Sequence, residues 1–162
     1  ILQIGSSTSL GNFSKQDSAI IFGNSNKTLS VAPIICYESI YGDYVRKFIK
    51  LGAGVIFIIT NDGWWDVSEG HKQHLSYAKL RAIENRRNIV RSANTGISAV
   101  INYKGEIIQS ISYGEEGFIK SEVPLLKKIT FYVKYGDYIF RISLFFLIII
   151  LLHFVATTLK TK

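Results

Sequence analysis

The sequence predicts an α/β domain with parallel strands, followed at its C-terminus by a single transmembrane helix, and three observations carry that reading. Two apolar runs rich in Val and Ile, residues 31–36 and 55–60, bracket a segment with helical spacing, and parallel strands require a crossover of this kind. Residues 139–159 read IFRISLFFLIIILLHFVATTL, apolar without a break from Leu144 to Leu152. That run has about the 20 residues a helix needs to cross roughly 30 Å of hydrocarbon. The only cysteine, Cys36, falls where the first apolar run gives way to the helical segment.

Taken in order, residues 1–5 and 19–22 read as short strands separated by the Ser/Gly/Asn-rich loop 6–17, with a turn at 23–27. Residues 31–36 form the next strand. Tyr41, Tyr44, Val45, Phe48 and Ile49 then recur at helical spacing, which predicts a helix over 39–51 with Gly52 as its cap. The strand 55–60 ends in a polar, aromatic loop, 61–66. A long helix is predicted from about Lys72 to Arg91: Leu75, Ala78, Ala82 and Ile89 share a stripe that Leu80, Ile83 and Val90 widen. Lys72, Lys79, Arg86 and Arg87 lie outside that stripe, and Glu84 with Arg86 and Arg87 reads as a solvated, ion-paired face. Residues 92–96, SANTG, are a turn. Residues 97–102 and 107–112 alternate around Tyr103-Lys104-Gly105-Glu106 as a hairpin does. Residues 117–123 read as one more strand, ended by Pro124, and 125–136 lead to the membrane.

A chain of 162 residues suffices for one domain with a core of its own, here 1–135, with 136–162 as the membrane helix and a short basic tail. With no methionine and Ile1 at its start, the sequence is expected to be a fragment or a processed piece. One cysteine excludes an internal disulfide. Nineteen Lys and Arg against twelve Asp and Glu give a net charge of +7, but no basic run with interleaved aromatics marks a nucleic-acid surface, so nucleic acid is not expected as a partner. Within the apolar run only Arg141 and His153 are ionisable, and Tyr132, Tyr135 and Tyr138 precede it as an interfacial belt does. Lys134 and Arg141 before the run and Lys160 and Lys162 after it leave its orientation open.

Two readings of Cys36 stand side by side. Between Ile35 and Tyr37 it is a small buried hydrophobe by composition. At a strand-to-helix junction it is a nucleophile: the carboxyl edge of an α/β sheet is where such folds place their sites, and a nearby helix N-terminus favours a thiolate and offers N–H groups to an oxyanion. The polar Glu38 and the loop 61–66 at the same sheet edge favour the second.

Several strings go beyond a generic fold. PIICYES around Cys36, NDGWW at 61–65, HKQHLSYAKLRAIENRR, RSANTGIS and the YGDY that leads into the apolar run occur in an order and spacing that closely resemble the apolipoprotein N-acyltransferase family, the membrane-bound branch of the nitrilase (carbon–nitrogen hydrolase) superfamily. The resemblance covers nearly all of the chain from Val31. It implies the C-terminal half of an α-β-β-α sandwich, standing on the periplasmic side of the bacterial inner membrane. It also implies transfer of an acyl chain from a phospholipid to the N-terminal amine of a diacylglyceryl-cysteine lipoprotein, with no cofactor and no metal. Cys36 matches the nucleophile of the family's Glu–Lys–Cys triad, and the acyl group would pass through a Cys36 thioester. The backbone N–H of Tyr37 is then the expected oxyanion donor, and Glu38 matches the acidic residue that follows the cysteine, with a supporting or a structural role.

The sequence departs from that pattern upstream. The family's glutamate and lysine precede the cysteine, and no matching motif occurs here; Lys15 and Lys27 lack its context. The chain alone is therefore expected to be inactive. Trp64 and Trp65 read either as lining for acyl chains and headgroups or as packing of their loop. Asn61, Asp62, Ser92 and Asn94 are expected to be structural near the site, the last two by fixing the turn with side-chain bonds. His71 and His74 read as polar residues at a helix start. Two other functions stay open: a nitrilase-fold amidase acting on a small amide, and a non-catalytic membrane-anchored remnant.

Overall fold

A computed structural model describes residues 18–26, 28–66 and 68–160, the last without its side chain. The expected strand 1–5, the loop 6–17, Lys15 and Lys27 lie outside the described residues. Among the described residues six strands form one sheet in chain order: β1 (Phe22–Gly23), β2 (Ser30–Ile35), β3 (Val55–Thr60), β4 (Asn88–Ala93), β5 (Ser98–Ile101) and β6 (Ile107–Ile111). The central β2, β3 and β4 are parallel and pair Val31 with Val55 and Val55 with Asn88, while β1, β5 and β6 are antiparallel to their neighbours. As the sequence predicts, a helix, α1 (Gly42–Lys50), makes the β2-to-β3 crossover.

The period-2 alternation of β3 decides which face is covered. Ile56 and Ile58 are buried, whereas Phe57 and Ile59 are exposed. The buried set, with Ala32, Ile34, Ile89 and Ile101, packs against Val45, Phe48 and Ile49 of α1 and Leu75, Ala78 and Ala82 of α2 (Gly70–Asn85). Each fully buried Ile of that set contributes about 1.5–3 kcal/mol. The opposite face exposes Ile35, Phe57 and Ile59, so among the described residues helices cover the sheet on one side only. A sheet with helices on one face and apolar residues on the other is half of an α-β-β-α sandwich.

Several elements differ from expectation for identifiable reasons. The segment 39–51 is not one helix: a 3₁₀ turn, Cys36–Ile40, precedes α1, and Tyr41 between them is extended. The strand 19–22 shrinks to the two residues of β1, and residues 117–123 form no regular element. The helix expected to reach Arg91 stops at Asn85. Arg86 takes a left-handed conformation, φ 49°, and Ile89 and Val90, which continue the helical spacing, instead pair with Ile56 and Phe57 in a strand. Nor is the expected solvated face of Glu84, Arg86 and Arg87 observed. Arg87 is buried and donates to the carbonyls of Ala53 at 2.7 Å and Lys128 at 2.7 Å, while only Arg86 is exposed. Arg87 thereby staples the segment after β6 to the amino edge of the sheet, and Asn88 adds a bond to the Pro124 carbonyl at 2.7 Å. Glu84 is half-buried. Burial pushes its carboxyl up, and Asp137 and Asp43 add to this while Arg81 opposes it.

Thr130 then caps a short helix, α3 (Phe131–Tyr135), by accepting from the Val133 N–H at 3.0 Å, and its own hydroxyl donates to the Glu84 carbonyl at 2.7 Å. Val133 enters the core. The last helix, α4 (Tyr138–Lys160), begins at once. Its stretch Tyr138–Leu159 has 22 residues, mean hydropathy 2.6, and no share buried against the domain. At 1.5 Å per residue that is about 33 Å, long enough to cross a membrane. The hydroxyls of Thr157 and Thr158 are returned to helix carbonyls, at 3.1 Å to His153 and 2.9 Å to Phe154, as a helix in hydrocarbon requires.

Candidate active site at the Cys36 junction

Cys36 leaves β2 in a left-handed conformation, φ 49°. A residue with a Cβ pays roughly 1–2 kcal/mol for this, so the surroundings must hold it there. They do so on three sides. Glu38 turns back and accepts from the Ile35 N–H at 2.8 Å, with the Tyr44 hydroxyl donating to its other oxygen at 3.3 Å. Burial and the Glu38 carboxylate together push the Tyr44 phenol up. Ser39 donates its hydroxyl hydrogen to the Cys36 carbonyl at 2.8 Å. Thr60, at the end of β3, has its hydroxyl 3.2 Å from the Cys36 sulfur. Cys36 as a residue is partly exposed and is not part of the buried core cluster.

Behind the junction lies a buried polar cluster. Thr60 Oγ1 is 3.0 Å from Asp62 Oδ1, and His74 Nδ1 is 2.8 Å from the same oxygen. Arg91 donates to Asp62 Oδ2 at 2.7 Å and to the Ile97 carbonyl at 2.8 Å. On its other side, His74 Nε2 faces Ser39 Oγ at 2.9 Å and the Cys36 carbonyl at 3.2 Å. A carboxylate only accepts, so the ring nitrogen of His74 that faces Asp62 is the one that donates. Burial would push the Asp62 carboxyl up, but the bonds from His74, Arg91 and Thr60 outweigh it and hold the group below the usual carboxylate range. Gly96 makes room for this: it sits at φ +132°, and a Cβ there would come within 2.6 Å of Asp62 Oδ2.

The loop after β3 is fixed to the turn after β4. The Asp62 N–H donates to the Thr95 carbonyl at 2.6 Å and the Asn94 N–H to the Thr60 carbonyl at 3.0 Å. The Asn61 side chain accepts from the Gly63 N–H at 3.1 Å. Asp62 is the centre of the buried cluster. Ser92 and Asn94 do not fix the turn through their side chains; Ser98 does, its hydroxyl accepting from the Ala93 N–H at 3.1 Å. Trp64 projects into solvent, 84% exposed, whereas Trp65 packs. The Trp65 ring lies 5.9 Å from Tyr37 and 5.4 Å from His74, and a Cβ on Gly70 would strike it. These rings, with Gln73 and Tyr77, line a cleft of about 90 Å³ beside the junction. Tyr37 itself is half exposed. It stands in the first turn of the 3₁₀ segment, where a backbone N–H lacks an intrahelical acceptor.

His71 and His74 stand at the start of α2, as expected, but face inward. Both are buried: His74 serves the cluster and His71 stacks on Tyr113 at 4.6 Å. Four residues of the site, Ser39, Thr60, His74 and Arg91, escape the sequence reading. A signal exists for His74 alone: with His71, Arg81 and Asn85 it shares the helical stripe of Leu75, Ala78 and Ala82, and polar residues in a core stripe are bonded there for a reason.

The chain spans about a fifth of the length of the curated relatives that it matches. It is 38% identical over 114 residues to the apolipoprotein N-acyltransferase of Chlorobaculum tepidum, covering 70% of this chain and 21% of that one. It is 43% identical over 109 residues to that of Bradyrhizobium diazoefficiens, covering 67% and 20%, and 37% identical over 123 residues to that of Rickettsia bellii, covering 75% and 24%. Among solved structures, the glutamine-dependent NAD+ synthetase of Acinetobacter baumannii matches with TM-score 0.56 at 17% identity, over 65% of this chain and 21% of that one. An amidase of the nitrilase superfamily from Nesterenkonia AN1 matches with TM-score 0.51 at 14% identity, over 61% and 39%. Both share the fold. The carbon-nitrogen hydrolase family profile matches residues 8–127, most of the chain, and with the parallel sheet, the cysteine at its carboxyl edge and these relatives, the chain belongs to the carbon–nitrogen hydrolase family.

Proposed function

We propose that this chain carries the nucleophile-bearing half of an apolipoprotein N-acyltransferase. The observation that supports it most is the partly exposed residue Cys36, held in a left-handed turn at the sheet's carboxyl edge. In this reading the Cys36 thiolate attacks the ester carbonyl of a phospholipid. The lysophospholipid alkoxide leaves and takes up a proton, and a thioester remains on Sγ. The amine of a diacylglyceryl-cysteine lipoprotein then attacks the thioester, the thiolate departs, and the amine's proton passes to a base. The Tyr37 N–H receives the oxyanion in both halves. Glu38 braces the turn through Ile35 and Tyr44, and Trp65 lines the approach for the acyl chain with the exposed Trp64 at its mouth.

The glutamate and lysine that this chemistry calls for are assigned to no residue of the chain, and the chain on its own is inactive in this reading. Residues 1–135 form the catalytic half-domain, and 136–162 hold it to the bacterial inner membrane with the cysteine on the periplasmic side.

A chimera tests the assignment: this chain replaces the matching stretch of the Chlorobaculum tepidum relative, and N-acylation of a lipoprotein is followed by mass. Transfer is expected from the chimera and not from the chain alone. Cys36→Ala is expected to reduce it by about a thousandfold or more while the protein still accumulates. Undiminished N-acylation in that variant rejects Cys36.

A further inference from the structure

A single hydroxyl hydrogen links the candidate nucleophile to the buried cluster behind it. Thr60 Oγ1 is within bonding distance of both the Cys36 sulfur, at 3.2 Å, and Asp62 Oδ1, at 3.0 Å, and it has one hydrogen to give. We propose that Thr60 is a sulfur-contacting residue of this site, whose hydroxyl donates to Asp62 while Cys36 is a thiol and to the sulfur once Cys36 is a thiolate, with Asp62, His74 and Arg91 as the residues that position it. The inference rests on the reading of Cys36 as a nucleophile.

The exchange needs only rotation of the hydroxyl. In the thiol state the S–H is a donor and Thr60 Oγ1 accepts it. When the proton leaves the sulfur for a carboxylate base or for water, the sulfur becomes an acceptor only, and the Thr60 hydrogen turns to it. Asp62 then loses one contact and keeps two, from His74 at 2.8 Å and the Arg91 guanidinium at 2.7 Å, so no buried carboxylate is left unpaired. The backbone on both sides of the contact is fixed. Asn94 and Asp62 clamp the end of β3 through the turn after β4, and Ser39 and His74 hold the Cys36 carbonyl. Thr60 is 5% exposed. The charged and titratable groups around the contact are Glu38 and Tyr37 from the 3₁₀ turn, Asp62 from the loop after β3, His74 from α2 and Arg91 from β4. Glu38 is already turned to Ile35 and Tyr44, which leaves Thr60 as the hydroxyl donor at the sulfur among the described residues.

The single cysteine makes the test direct. The full chain in detergent is alkylated with iodoacetamide across a pH series, and adduct mass gives the rate at Cys36. Thr60→Val matches the side chain in shape and suits a strand end, and Asp62 keeps its two other partners, so the fold is expected to hold. Its alkylation should be about tenfold slower near pH 7 and converge on the parent rate at alkaline pH, where both thiols are ionised. Thr60→Ala, a second hydroxyl-free variant, should follow the same profile, and Thr60→Ser should follow the parent. Coincident profiles for Thr60→Val and the parent overturn the proposal. So does a drop by one factor at every pH, which reports altered access in place of a lost hydrogen bond. Alkylation needs no acyl donor or acceptor, so this outcome is independent of whether Cys36→Ala abolishes acyl transfer.

Discussion

Asp62→Ala is expected to destabilise the domain by about 3–5 kcal/mol, the cost of removing one partner from a buried ion pair. Arg91 would keep a buried guanidinium with no carboxylate, and His74 Nδ1 would lose its acceptor; both side chains are almost wholly buried. For a domain of ordinary stability, about 5–15 kcal/mol, this is a large fraction, and chemical denaturation in detergent should show it as a large fall in the midpoint. The wild-type pH dependence has a determined sign. The folded-state carboxyl of Asp62 is held below its unfolded value, so its contribution is fully present above about pH 4 and is lost as pH falls through the folded value. Glu84 runs the other way, because burial raises its carboxyl and protonation relieves a cost. Asp62→Asn should therefore be less stable than wild type at neutral pH, and the difference should narrow under acid. Equal midpoints for Asp62→Ala and wild type would show that the cluster carries no stability.

The second large effect is on partitioning. A protein truncated after Gly136 keeps α3, whose Val133 completes the core, and loses all of α4. The full chain is expected to remain with membranes through an alkaline carbonate wash and the truncated one to be released. Ile148→Arg together with Leu152→Arg should act in the same direction, at about 2.5–3.5 kcal/mol for each central arginine on insertion scales. Release of the full chain by the same wash would mean that α4 does not cross the bilayer.

How much of this was legible depended on whether local pattern and tertiary pairing agreed. In β2, α1 and β3 they agree: Val31 to Ile35 and Val55 to Thr60 are β-branched runs, and Val45, Phe48 and Ile49 mark one helical face. In β4 they conflict. Ile89 and Val90 fit the helical stripe of α2, and what moves them into the sheet is the left-handed Arg86 together with parallel pairing to Ile56 and Phe57. Neither is encoded in a window of a few residues. The site divides in the same way. Cys36 and Glu38 lie two positions apart in sequence and could be read as a junction, whereas His74 reaches Cys36 across 38 positions and Arg91 reaches Asp62 across 29. Arg87 shows the limit most plainly. By composition it belongs to a charged surface, yet the carbonyls of Ala53 and Lys128 hold it inside, because a guanidinium with several acceptors meets the cost of burial.

The central claim is that the Cys36 sulfur carries the acyl chain. Peptide mass spectrometry of the chimera, incubated with phospholipid and no lipoprotein acceptor, tests it most directly. The account predicts an acyl-sized mass increase on the peptide containing Cys36, removed by hydroxylamine and absent in Cys36→Ala. An unmodified Cys36 peptide from a chimera that transfers acyl chains at full rate would contradict it.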